Sequence, residues 1–166
     1  NISKYGLRLE DAEATGVKFY LRELSTGQMN ISALVEKLRS KESEGDFRLY
    51  VDDLEAKELS FVLEKQEHRN PKYGIDFSDL QLNNIDAHIT NLAVEGGAVR
   101  MDIEELSAVE KSGFQLASMT AYLSVNRGEI LLNELSIDTE SSSLHLPKVV
   151  LLGDDWVDYR DFAHEV

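Results

Sequence analysis

The chain has 166 residues, 42% hydrophobic and 29% charged, which is the balance of a globular unit with one sizeable core. Its 31 acidic and 17 basic residues leave a formal charge of −14, a surface that repels phosphate backbones and anionic headgroups and so excludes nucleic acid as a natural partner. There is no cysteine, which rules out disulfides, thiolate metal sites and cysteine nucleophiles and leaves the compartment open.

The first patterned stretch is "YGLRLEDAEATGVKFYL" (Tyr5–Leu21). Leu7, Leu9, Ala12, Ala14, Val17, Phe19 and Leu21 alternate with polar residues, with two steps of three positions where two would be regular. Alternation with period two puts one apolar face on a strand. A step of three would send the next apolar residue to the opposite face, unless a bulge or tight turn absorbs the extra residue. "NISALVEKLRSK" (Asn30–Lys41) is different. Ile31, Leu34, Val35 and Leu38 sit at i, i+3, i+4 and i+7 behind Asn30 or Ser32, which predicts a short amphipathic helix near 30–41.

The strand pattern returns in "FRLYVDDLEAKELSFVL" (Phe47–Leu63) and in "IDFSDLQLNNIDAHITNL" (Ile75–Leu92). Its steps fall at "DD", "SD" and "NN", residues that suit turns and bulges. "FQLASMTAYLSV" (Phe114–Val125), "EILLNELSIDT" (Glu129–Thr139) and "SLHLPKVVL" (Ser143–Leu151) continue the series. Polar loops at Ser40–Asp46, Glu64–Gly74 and Thr139–Ser143, and a hairpin-like turn at Val125–Glu129, separate the copies. "DDWVDYRDFAHEV" (Asp154–Val166) places Trp156, Tyr159, Phe162 or Ala163, and Val166 three or four apart behind Asp154 or Asp155 as cap, predicting a second helix near 154–166. The expectation is a mainly β fold: an elongated, twisted antiparallel ribbon with one continuous apolar face and two short helices. Residues 1–166 form a single segment that reads as a piece of a longer protein.

Candidate chemistry is sparse. His88 and His145 alternate with apolar neighbours and belong to polar strand faces, His68 and His164 stand apart, and no pair has metal-ligand spacing. The acidic pairs Asp52–Asp53, Glu104–Glu105 and Asp154–Asp155 do not follow the calcium-loop pattern. Phosphate-binding loops and nucleophile elbows are absent, so no enzyme and no cofactor is expected. "SGF" at Ser112–Phe114 reads as a tight turn feeding a strand. The remaining feature is the apolar stripe. It is either a core closed against the helices or the floor of a half-open groove that accepts acyl chains. For the groove, the floor residues would be Phe47, Leu49, Phe61, Phe77, Leu82, Ile85, Ile89, Phe114, Leu116 and Leu123.

The strand pair "DFSDLQLNNI", the segment "IEELSAVEKSGFQL", the following "LLNELSIDTESSSL" and the closing "DDWVDYRDFAHEV" resemble the TamB group of the AsmA-like superfamily, in its Bacteroidetes-type version. "NISALVEKL" and "FRLYVDDLEAKELSFVLEKQ" extend the resemblance over nearly the whole chain. It implies a taco-like β groove within a long periplasmic rod, anchored in the inner membrane of a Gram-negative bacterium by parts absent from this chain. It also implies a part in outer-membrane biogenesis: phospholipid transport along an apolar groove, or protein translocation and assembly with an Omp85-type barrel that partners the full-length protein. This chain would be an internal segment, shielding phospholipid acyl chains. The alternative is a closed β scaffold that binds no lipid.

Overall fold

The computed structural model describes residues 6–26, 48–67, 71–76, 78–95, 98–126 and 128–152. The two expected helices, near 30–41 and 154–166, lie outside these residues, as do Phe47 and Phe77. Among the described residues there is no helix.

Eight strands form one open, twisted sheet: β1 (Leu7–Thr15), β2 (Lys18–Arg22), β3 (Arg48–Glu64), β4 (Asp79–Glu95), β5 (Ala98–Glu110), β6 (Gln115–Val125), β7 (Glu129–Asp138) and β8 (Ser143–Leu152). From β3 to β8 each strand pairs antiparallel with the next. Contacts between described elements run only between hydrogen-bonded neighbours, so the described sheet is a single layer.

The antiparallel expectation fails at one edge, where β1 and β2 both pair parallel with β3. They lie end to end along it: Leu7 opposes Leu49 at one end and Arg22 opposes Glu64 at the other. The break between them is at Gly16, whose N–H donates to the Lys57 carbonyl at 3.0 Å while its φ is 67°. A parallel neighbour needs a return connection rather than a hairpin. The chain leaves β2 beside the last residue of β3 and must re-enter at its first, back along a 17-residue strand. That distance is roughly 55 Å at about 3.3 Å per residue.

Strand β5 was not among the copies expected from periodicity. Its residues Val99, Met101, Ile103, Leu106 and Ala108 show the same stepped spacing. Ile103, Leu106 and Val109 also fall three apart, which masks the strand pattern with a helical one.

The steps work in two ways. "SD" is a turn: Asp76 Oδ1 accepts the Ser78 N–H at 2.9 Å, and the Asp76 carbonyl accepts the Asp79 N–H at 3.1 Å, just before β4 begins. "NN" is a bulge within β4, and Asn84 there has a φ of 48°. Glu58, Asn91 and Glu134 are the other non-glycine residues with positive φ among those described, and each lies in a step of three. The left-handed conformation lets a strand take one extra residue without reversing its faces.

Candidate functional site

The apolar face can be traced from the regular strand β6. Val125, Leu123, Ala121 and Met119 alternate there without interruption, so all four share one face. Each defines a row across the sheet. Val125 belongs to Leu7–Leu49–Val94–Val99–Val125–Ile130–Leu151, paired at every junction from β1 to β8. Met119 belongs to Ala14–Ala56–Ala87–Leu106–Met119–Ile137–Leu144, equally unbroken. Leu123 pairs with Met101 and Leu132, and Ala121 pairs with Ile103, which pairs with Ile89.

Beyond these rows the strands exchange bulges. Between Ala56 and Leu59 β3 takes three positions, while β4 takes two from Ala87 to Ile85. Next β3 takes two, from Leu59 to Phe61, while β4 takes three from Ile85 to Leu82. Strands β5 and β6 repeat this exchange. Ile103 to Leu106 opposes Ala121 to Met119, then Leu106 to Ala108 opposes Met119 to Leu116. At each level one strand alternates regularly and carries the face across the other's bulge. The apolar face is therefore carried through these exchanges as far as Leu82, whose partner on β5 is Glu110.

Seven of the described groove candidates have places on or beside it. Leu49, Leu123 and Ile89 lie in the rows; Phe61 pairs with Leu82 and with Phe19; Ile85 pairs with Leu59, and Leu116 with Ala108. All seven named for the groove here are half-buried. Phe114 is set apart in the β5–β6 turn, 41% exposed, with its carbonyl accepting the Glu110 N–H at 2.8 Å. The most buried apolar residues are Ala56, Val51, Ala108, Ile103, Ala121, Leu135 and Ala87; none of them is a groove candidate, and four are alanines, which carry little signal. Large side chains at the two edges stay open: Phe19 at 53%, Leu7 at 46%, Leu144 at 49% and Leu152 at 76%.

The opposite face is polar. Asp53, Glu55 and His88 meet there from β3 and β4, with His88 Nε2 at 3.1 Å from Asp53 Oδ2 and 3.9 Å from Glu55 Oε1. The hydrogen bond to Asp53 raises the His88 pKa against the opposing effect of burial, with the charges of Asp53, Glu55 and Glu104 adding to the rise. The three ligand atoms lie within 4.8 Å of one another and could hold a divalent cation. Sequence spacing gave no sign of this trio, because Asp53 and His88 are brought together only by strand pairing. Asp52 instead pairs with Arg8 at 2.8 Å, and the Glu104 carboxylate accepts the Thr90 hydroxyl at 2.9 Å. Of the acidic pairs, Asp154–Asp155 lies outside the described residues, and Asp52–Asp53 and Glu104–Glu105 do not converge on a cleft. Two open depressions lie at the β2 end, one lined by Lys18, Tyr20, Val62, Glu64, Asp79 and Gln81, away from the apolar rows.

Glu110 ends β5 and is only 1% exposed. Burial disfavours its charge. The Ser112 hydroxyl and N–H, the Gln81 N–H and the neighbouring Lys111 outweigh that and hold its carboxyl below the usual range. It ties the "KSG" turn to strand β4.

No protein family matches the chain, and no curated protein or solved structure proves similar to it.

Proposed function

We propose that this chain is a non-enzymatic segment of an envelope-spanning, TamB-like protein that shields lipid acyl chains on its apolar face. One observation carries the reading: apolar rows run unbroken from β1 to β8 on a sheet with no second layer among the described residues. An acyl chain in water costs about 0.8 kcal/mol per CH₂. A floor of uniform apolar character keeps that cost level along a path and needs no directional contacts. Curling of the twisted sheet into a trough would enclose the tails. In the periplasm such a segment would serve phospholipid movement between inner and outer membrane, with an Omp85-type barrel as a partner of the full-length protein. The exposed edge leucines support a second reading, a scaffold that acts through its strand edges in outer-membrane assembly and binds no lipid.

Native mass spectrometry of the purified chain, with lipid extraction of the same sample, tests the first reading. Co-purifying phospholipid that is lost in a Leu82→Asp, Ile85→Asp variant of unchanged circular dichroism supports it. A protein that stays free of lipid after incubation with phospholipid in detergent overturns it in favour of the scaffold.

A further inference from the structure

We infer that strand β8 of one copy of this chain accepts strand β1 of a second copy, in antiparallel register, so that copies join edge to edge and extend the apolar rows. Both strands are edges of the described sheet, each with a single neighbour. Strand β1 runs parallel to β3, and five antiparallel pairings separate β3 from β8, so β1 and β8 run in opposite directions. Their apolar residues have the same spacing. On β1 they are Leu7, Leu9, Ala12 and Ala14; on β8, read backwards, they are Leu151, Val149, Leu146 and Leu144. Both sets step two, three, two. Laid antiparallel they oppose one another, Leu7 with Leu151 through to Ala14 with Leu144, and no bulge is needed. A shift of two positions puts Leu9 against Pro147 or Ala12 against Lys148.

Charge agrees with this register. The β1 edge carries Glu10, Asp11 and Glu13, and two of them already face like charges on β3, Asp11 opposite Asp53 and Glu13 opposite Glu55. Like charges directly opposite are unfavourable. The β8 edge carries Lys148, which has no ion-pair partner among the described residues, and His145. In the joined register Lys148 meets Glu10 and Asp11, and His145 meets Glu13. Pro147 costs the ladder little. It lies in the three-residue step, where β7 and β8 already skip a pair and where β1 and β3 skip one at Glu10 and Asp52. The contact is heterologous, because each copy offers a different edge, so it adds further copies rather than closing at two.

The absence of cysteine makes a direct test possible. Two single-cysteine variants, Leu9→Cys and Val149→Cys, are mixed and oxidised; they are expected to form a cross-linked dimer. The mixture of Leu9→Cys with Leu144→Cys, several positions out of register, is expected to form at least tenfold less. Sedimentation of the unaltered chain over a range of concentrations is expected to show mass rising past a dimer. Lys148→Glu should weaken that association at least tenfold, and Glu10→Lys combined with Lys148→Glu should restore it. A chain that stays monomeric at several hundred micromolar, equal cross-linking of both mixtures, or no effect of Lys148→Glu overturns the inference.

Discussion

Glu58 and Asn84 are the extra residues of neighbouring strands, and each stands beside a regular two-residue step of the other. Glu58 adopts a φ of 54° and its N–H donates to Asp86 Oδ1 at 2.9 Å; Asn84 adopts a φ of 48°. Had both bulges fallen at one level, β3 and β4 would have moved together and the shift would have passed to β5, as it does at the Asp52 step. Staggering them preserves the face while bending the pair.

The left-handed backbone at Asn84 sets a clear order among substitutions. Asn84→Val should lower stability by about 1–2 kcal/mol, since a β-branched residue is strained there. Asn84→Gly should leave it unchanged or slightly raised, because glycine takes positive φ freely. Urea unfolding midpoints of the two variants, compared with the parent, measure the difference.

Glu110 predicts a particular acid response. Its folded pKa is below the unfolded one, so its contribution is present above about pH 4.3 and is lost as pH falls through the folded value. Glu110→Gln should therefore cost about 1–3 kcal/mol at pH 7, because one acceptor is exchanged for a donor facing backbone N–H groups. The gap between parent and variant should narrow as the pH falls below 4. Denaturation at a series of pH values between 3 and 7 reads both effects.

His88 shows the opposite sign. Its folded pKa is raised, so the imidazolium adds stability below the ordinary value near 6.5 and that contribution disappears as pH rises through the folded value. Replacing Asp53 by Asn removes the hydrogen bond that is the largest cause of the rise. Titration of the His88 ring protons by NMR should then move toward the usual histidine range.

Gly6 packs where β1 starts, with φ at 92°. A Cβ added there would lie 2.6 Å from the Arg48 Cβ and 2.7 Å from its carbonyl oxygen. Gly6→Ala should thus loosen β1 by more than about 1 kcal/mol. Hydrogen exchange should quicken from Leu7 to Thr15 and stay slow in β5 to β7.

Much of the sheet was legible residue by residue. Alternation marked β1 to β4 and β6 to β8, and "NN" marked the bulge at Asn84, because asparagine tolerates positive φ. Strand β5 carried the same stepped spacing but hid under a helical coincidence at Ile103, Leu106 and Val109. The "DD" step was less direct. Asp52 causes no shift against β1 or β4, because Leu9 to Ala12 and Leu92 to Ile89 step by three at the same level, and the shift is taken up between β4 and β5. For the site, the half-buried candidates and the places of Ala56, Ala87 and Ala121 on the apolar face follow from periodicity, whereas the deep burial of the alanines and the Asp53–Glu55–His88 trio do not.

The sequence by itself determined which side chains share a face along each strand, because alternation is a property of local backbone geometry. It also determined that steps of three must be absorbed within a strand. Only the tertiary structure decided which strands are neighbours, that β1 and β2 join β3 in parallel, and which two strands are left as edges. Those facts depend on pairing between residues far apart in the chain, and an alternating pattern pairs equally well with many partners until the register fixes one.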